Sequence, residues 1–396
     1  MQDDDHARAK SHWWKAVVAV MLAALCLWIF FSADPLRAYM QAAAIFFELD
    51  SNHLPVVLAP VAHHPVSANN IDIPVPGRPA LRALIYAPTD VKSARAIVLL
   101  HGVHHLGYDE PRLVNFASAL SRCGFQVLTP ELPELRDYHI SAASLTDIRA
   151  SINWYAQRTG APVTVIGLSF AGGLAILAAA DPATTPHVKA ILSVGGHSSF
   201  ARVANYYVTG VAHGADGSAY GAGGGLYTVA PNDYGSLVLA YEHLGDYVPA
   251  QDTAAILPVL RAHLYENGEA EKSLTAQLNL RQQSELRQIE QSSLPVETAL
   301  AKASNAKYVT AMATISPEGN VADLHVPIFL LHGSADNVIP PTELSWLQKD
   351  LPAASVHDAL VTPLLSHVSL KIAKPTFADD WHALSFLAHF LELAEA

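Results

Sequence analysis

The feature that most restricts the fold of this chain is a series of short, unbroken apolar segments separated by helical ones. LRALIYAP, AIVLLHG (residues 96–102), FQVLTPEL and VTVIGLS (residues 163–169) are rich in β-forming residues. Between and after them stand EPRLVNFASALSRCG, SLTDIRASINWYAQRTG and FAGGLAILAAAD, whose apolar spacing suits helices. A strand that is apolar at nearly every position is buried on both faces, and such strands alternating with helices of about 10 to 15 residues form a mostly parallel sheet. VKAILSVGGH (residues 188–197) continues that sheet. After a long interruption the pattern resumes at VPIFLLHGSAD, followed by helix PTELSWLQKDL, a last strand near residues 354–361 and a closing helix DDWHALSFLAHFLELA. The expected fold class is α/β, a mostly parallel central sheet with helices on both faces, split by an insert.

The sheet-forming sequence occupies residues 80–197 and 325–396, and residues 198–324 differ in texture. They open on the Gly-rich HGADGSAYGAGGG and pass into EAEKSLTAQLNLRQQSELRQIEQ, where Leu274, Leu278, Leu280, Leu286 and Ile289 make an apolar stripe near helical spacing. A helical cap over the sheet is expected, with the Gly-rich stretch as its hinge. That stretch follows no clear strand and lacks the lysine of a P-loop, so a phosphate site is not expected.

Residues 16–33, AVVAVMLAALCLWIFFSA, contain no charge, and their length suits a transmembrane helix. The hydrophobic region of a cleaved signal is shorter, about 7 to 15 residues, and Phe31 stands where a small residue is preferred before cleavage. An uncleaved signal anchor is expected, with a secreted, cleaved form as the alternative. Arg8, Lys10 and Lys15 precede the segment and Arg37 follows it, so the positive-inside rule puts residues 1–15 in the cytoplasm and everything after about residue 35 outside. Residues 34–79, mixed and rich in proline and histidine, are read as a linker leading into edge strands, with VVLAP and IDIPVP as the short strands.

A hydrophobic content of 51% against 15% charged residues leaves material for both a large core and a lipid segment. The formal charge of −12 argues against a nucleic-acid partner, which needs a concentrated basic face. Cys26 and Cys123 lie far apart, so neither a disulfide nor a cysteine metal site is expected.

The chemistry is concentrated at three turns. In V-I-G-L-S-F-A-G-G, Ser169 ends an apolar strand and opens an Ala-rich helix. A tight strand-to-helix turn lifts its hydroxyl above the sheet edge, and Gly167 and Ala171 are small because larger side chains would clash across the turn. The amide of Phe170, at the positive end of the new helix, can donate to a developing oxyanion. An earlier strand ends in Leu99, Leu100, His101, Gly102 and Val103, where the Val103 amide is the candidate second donor. His101, His104 and His105 lack carboxylates or cysteines at ligand spacing and are read as structural. No metal or other cofactor is expected.

The third turn, LLHGSADNVIPP, presents Asp336, which can accept from an imidazole Nδ1–H and fix its tautomer. Asp323 precedes that strand and belongs at its other end. Among 20 histidines position decides the base. His367 lies in TPLLSHVSL, after the last strand and before the closing helix, which returns it to the same sheet edge. His357 falls within or before the last strand, and His382 and His389 belong to the last helix.

LLHG near residue 101, GLSFAGG around Ser169, HGSADNVIPP around Asp336 and SHV at His367 together resemble the α/β-hydrolase superfamily in its order of nucleophile, acid and base. The resemblance covers residues 80–396 and implies a catalytic triad of Ser169, Asp336 and His367 with the Phe170 and Val103 amides as oxyanion hole. It departs from the commonest esterase signature at Ala171, and from the HGGG type of oxyanion loop at His101–Val103. It implies hydrolysis of small-molecule or lipid-like esters through an acyl-enzyme. The same triad could instead serve an acyltransferase or a peptidase, and a membrane-tethered binding protein without catalysis is the reading from another class.

Overall fold

A computed structural model describes residues 34–51, 54–92, 94–215, 225–246, 248–291, 306–365 and 375–396, together with Met21. Its strands in chain order are β1 (Val66–Ile73), β2 (Leu81–Pro88), β3 (Ala96–Leu100), β4 (Gln126–Pro130), β5 (Val163–Leu168), β6 (Val188–Val194), a short ribbon of β7 (Ala212–His213) and β8 (Leu226–Tyr227), then β9 (Ile328–Gly333) and β10 (Val356–Thr362). Eight of them make one sheet in the order β1-β2-β4-β3-β5-β6-β9-β10. β2 runs antiparallel to β1 and β4, and every other neighbouring pair is parallel. The carboxyl ends of β3, β5, β6, β9 and β10 therefore share one edge. In open α/β sheets that edge is where ligands bind.

Ile97 to Leu100 on β3 and Val163, Val165 and Ile166 on β5 are fully buried, as strands covered on both faces must be. The longer helices before the insert are α1 (Asp34–Ser51), α2 (Pro111–Arg122), α3 (Ala142–Thr159) and α4 (Phe170–Ala179). Glu110 caps α2 by accepting from the Leu113 amide, with Pro111 in the first turn. Ser141 caps α3, which ends at Gly160 in the left-handed conformation. α3 and α4 cover one face of the sheet, while α1, α2 and the C-terminal helix cover the other.

Helix α1 occupies the start of the segment read from sequence as a linker. Ala38, Ala42 and Ile45, at helical spacing, are fully or almost fully buried on its inner face. Gln41 Nε2 donates to the Cys123 carbonyl at 3.0 Å and to Glu395 Oε1 at 2.7 Å, fastening the helix to both neighbours. VVLAP, expected as a strand, is a 3-10 helix (Val56–Val61). β1 begins at Val66, within the sequence read as the separator before IDIPVP, and ends at Ile73. The remaining expected strands and helices of the sheet are present within a few residues of the stated bounds.

The insert between β6 and β9 contains α5 (Phe200–Thr209), α6 (Asp233–Glu242), α7 (Ala250–Leu264), α8 (Gly268–Thr275), α9 (Leu280–Glu290) and α10 (Ala306–Thr314). The stripe expected through residues 274–289 is broken. The chain turns between α8 and α9, where Asn279 and Gln282 form a capping box, so Leu280 heads a new helix and is 84% exposed. Leu278, Leu286 and Ile289 are buried as expected. Arg281 and Gln282 both donate to the buried Asp252, tying α9 to α7.

Two helices follow β9: α11 (Thr342–Asp350) and α12 (Phe377–Glu395). Glu343 in the first turn of α11 is buried and accepts from the Ser198 and Ser199 amides, both at 2.8 Å, and from Arg202 Nε at 3.0 Å. This carboxylate anchors the start of the insert to the sheet layer. Residues 16–33, expected to span a membrane, lie outside the described residues except for Met21. No helix among the described residues is long and apolar enough to cross a membrane. Residues 216–224 of the Gly-rich stretch also lie outside them.

Candidate active site

Ser169 sits between β5 and α4 with φ 57° and ψ −135°, a conformation that residues with a Cβ rarely adopt. The turn is held from both sides: the Ser169 amide donates to the Val194 carbonyl at 2.7 Å, and the Gly172 amide to the Ser169 carbonyl at 2.8 Å. A Cβ on Gly167 would lie 2.5 Å from the Ala171 carbonyl oxygen and 2.7 Å from the Gly172 Cα. The strand and helix thus approach too closely for any side chain there, the steric requirement inferred from the small residues around Ser169. Phe170 is the first residue of α4, so its amide lies outside the hydrogen-bond ladder of the helix.

Gly102 brings the loop after β3 against the Ser169 turn. A Cβ on it would stand 3.1 Å from Ser169 Cβ and 3.7 Å from Ser169 Oγ. Val103, the next residue, is buried, and its carbonyl accepts from the Tyr234 hydroxyl at 2.8 Å. His101 has a structural task. Its Nδ1 donates to the Gly102 carbonyl at 2.7 Å while its Nε2 accepts from the Leu132 amide at 3.0 Å, which defines the tautomer. Full burial drives its pKa down to about 4, partly opposed by the Gly102 bond, so the ring is neutral near pH 7.

Asp336, 2% exposed, follows the end of β9. Its Oδ1 accepts from the amides of Val338 at 2.9 Å and Ile339 at 3.0 Å. Its Oδ2 lies 3.5 Å from Nε2 of His332, which itself donates to the Ile339 carbonyl at 2.9 Å. The backbone of the same residue accepts from Tyr227: the phenol donates to the Asp336 carbonyl at 2.7 Å. β10 ends beside this turn, with the Ser334 amide donating to the Thr362 carbonyl at 2.9 Å. His367, the expected base, lies outside the described residues, which stop at residue 365 and resume at residue 375. His357 is on β10, whose amino end lies away from the turn, His382 and His389 are on α12, and Asp323 precedes β9.

The three turns meet around one small apolar space. Val103, Phe170 and Val338, one from each turn, line it together with Phe200 and Tyr207 of α5 and Tyr234, Val238 and Leu239 of α6. Its volume is 10 Å³, at the lower limit for a single water molecule. Helices α5 and α6 of the insert thus pack against the three turns, while Ser169 itself stays partly exposed.

Reasoning from sequence did not single out Tyr227, Tyr234 or His332. The first two lie in the insert, and Tyr234 reaches Val103 across 131 positions of sequence, so no local pattern marks them. The Asn232 amide donates to the Asn337 carbonyl at 2.8 Å, a further tie between the insert and the Asp336 turn.

Among the described residues, two groups bring three potential metal ligands within 4.8 Å of one another: His63, His64 and Asp90, and His263, Glu271 and Glu290. Neither includes a residue of the Ser169, Val103 or Asp336 turns.

Comparison with known proteins gives a family match. The family described as alpha/beta hydrolase fold matches residues 95–361. No curated protein matches the chain. Among solved structures, brefeldin A esterase, a bacterial homologue of human hormone sensitive lipase, is 14% identical with a TM-score of 0.44, the alignment covering 92% of this chain and 84% of that one. An esterase of Pyrobaculum calidifontis is 17% identical, with a TM-score of 0.39 and coverage of 89% and 93%. The acylaminoacyl peptidase of Pyrococcus horikoshii is 11% identical, with a TM-score of 0.46 and coverage of 83% of this chain and 41% of the other.

Proposed function

The chain belongs to the α/β-hydrolase fold family, and on that premise we propose that it is a serine hydrolase that cleaves carboxylic esters through an acyl-enzyme on Ser169. The observation that carries this reading is the backbone of Ser169. A non-glycine residue held at φ 57° costs about 1 to 3 kcal/mol, and this one stands at the sheet edge, with the Gly102 backbone against it. Strain of that size persists where the surrounding structure imposes it, and here it serves to aim a hydroxyl.

In the proposed reaction, His367 accepts the Ser169 proton as Oγ attacks the ester carbonyl. The Phe170 and Val103 amides hold the oxyanion. The imidazolium then gives its proton to the departing alcohol, and a water activated by the same ring releases the acid and frees Ser169. Asp336 holds the imidazole in its tautomer. The Val338 and Ile339 amides bond its Oδ1 and so fix the orientation of the carboxylate.

The reading also includes residues 16–33 as a signal anchor that tethers an extracytoplasmic domain, supported by the lack of charge in that segment and by the basic residues before it. Ester turnover by purified protein tests the proposal. Asp336→Asn is expected to lower kcat by on the order of 10⁴ and His367→Gln by at least as much, with the fold kept. A loss below about tenfold in both would remove the triad assignment. Product analysis with added alcohols or amines distinguishes hydrolysis from acyl transfer.

A further inference from the structure

His63 and His64 lie between the 3-10 helix (Val56–Val61) and β1, and Asp90 follows the end of β2. The antiparallel pairing of these strands sets Val66 opposite Pro88, so the entry to β1 and the exit from β2 meet at one corner of the sheet. Because β2 is also antiparallel to β4, with Tyr86 opposite Val127, this corner stands at the amino ends of the parallel strands, the edge away from Ser169. The backbone there is pinned. The Thr89 amide donates to the Pro65 carbonyl at 2.9 Å, and the His64 amide to the Arg122 carbonyl at 3.3 Å.

One potential ligand atom from each of His63, His64 and Asp90 converges at this corner, all within 4.8 Å of one another. His64 Nδ1 lies 2.9 Å from Asp90 Oδ1. The other edge of that ring, Cδ2 and Nε2, is turned inward, 3.6 Å from where a Cβ on Gly124 would stand. The Arg37 guanidinium, also beside Gly124, is paired with Glu395 at 3.5 Å, so its charge is compensated. Consecutive side chains of an extended chain point to opposite sides, yet the His63 and His64 rings lie next to each other with centroids 4.3 Å apart. A pair formed by His64 and Asp90 alone does not account for a second imidazole brought to the same side.

We infer that His63, His64 and Asp90 bind a divalent transition-metal ion of the zinc type, which clamps the segment carrying α1 to the edge hairpin of the sheet. Two imidazoles and a carboxylate suit Zn²⁺, whose nitrogen and oxygen ligands lie at about 2.0 to 2.2 Å and so stand about 3.4 Å apart in a tetrahedron. Small side-chain rotations reach that spacing, because His63 and Asp90 are exposed while His64 is held by its inner edge. Three protein ligands leave the fourth position to water. The clamp extends to α1, since Leu58 and Val61 of the 3-10 helix are buried in one cluster with Ala42 and Ile45. Its role is structural and independent of the hydrolase chemistry, which belongs to the opposite edge of the sheet.

The test strips full-length protein in non-ionic detergent with EDTA, removes the chelator by dialysis and titrates Zn²⁺ calorimetrically, with Tm read in parallel. Binding with a Kd of about 10 μM or tighter is expected. At a hundredfold excess over Kd the Tm should rise by about 3 °C, and Mg²⁺, which prefers oxygen ligands, should have no such effect. His63→Ala and Asp90→Asn, both at exposed positions, should each weaken Zn²⁺ binding at least tenfold and remove the rise while keeping the metal-free Tm. His263→Ala, in the other group of potential ligands, should alter neither. A wild-type Tm that does not respond to Zn²⁺, or binding that survives both His63→Ala and Asp90→Asn, would overturn the inference. Loss of binding in His263→Ala alone would do the same, by assigning the ion to the other group.

Discussion

The phenol of Tyr234 donates to the carbonyl oxygen of Val103 at 2.8 Å, so a side chain of the insert holds the loop that supplies the proposed oxyanion donor. Tyr227 does the same at the Asp336 turn, donating to the Asp336 carbonyl at 2.7 Å. Two tyrosines of the insert thus hold both loops beside Ser169.

Tyr234→Phe keeps the ring and removes the tie. It is expected to cost about 1 kcal/mol of stability, the net value of a typical hydrogen bond. It should lower kcat/KM for ester hydrolysis by roughly tenfold through a looser oxyanion loop. Urea unfolding and steady-state kinetics read the two effects separately, and unchanged kinetics would show that Val103 is held by other contacts.

Ser169→Gly should raise stability while abolishing turnover. Glycine accepts φ 57° without strain, so this variant is expected to exceed Ser169→Ala by about 1 kcal/mol in urea unfolding. Equal stabilities would mean that the turn relaxes in the alanine variant.

His101 and His197 are fully buried, and burial lowers the pKa of each to about 4 from the ordinary 6.5. The unfolded chain binds protons below pH 6.5 that the folded chain refuses until near pH 4. The stability they contribute is complete above pH 6.5 and declines as pH falls toward 4, by about 3 kcal/mol for each ring. His197→Gln retains a donor for the Ile315 carbonyl, which His197 Nε2 bonds at 2.9 Å. It should flatten the fall of the urea midpoint between pH 7 and pH 4.5; an unaltered slope would count against a neutral, buried His197.

The sheet was legible because its central strands, such as AIVLL and VTVIGL, are buried on both faces and so apolar throughout. The Ser169 turn was legible for a related reason: close packing at Gly167 and Ala171 leaves a local imprint of small residues. Helix α1 was hidden behind the prolines and histidines that follow it, and its partner α12 stands at the other end of the chain. The break at Leu280 depends on the cap formed by Asn279, which a count of apolar spacing does not register. The ties from Tyr227 and Tyr234 join positions more than 100 residues apart, so only the folded chain reveals them.

The proposed topology places an enzyme fused after residue 60 outside the cytoplasm. In a bacterial host, an alkaline phosphatase fusion at that point should be active, and replacing Arg8, Lys10 and Lys15 with glutamine should reduce that activity by weakening the charge bias. An inactive fusion in the unmodified chain would reverse the orientation.

The central claim is that Ser169 carries an activated hydroxyl. Full-length protein in non-ionic detergent, treated with a fluorophosphonate and digested, should carry one phosphonyl group at Ser169 by mass spectrometry, absent from Ser169→Ala and from heat-denatured protein. Folded protein that remains unlabelled at Ser169, or labelling that persists undiminished in Ser169→Ala, would contradict it.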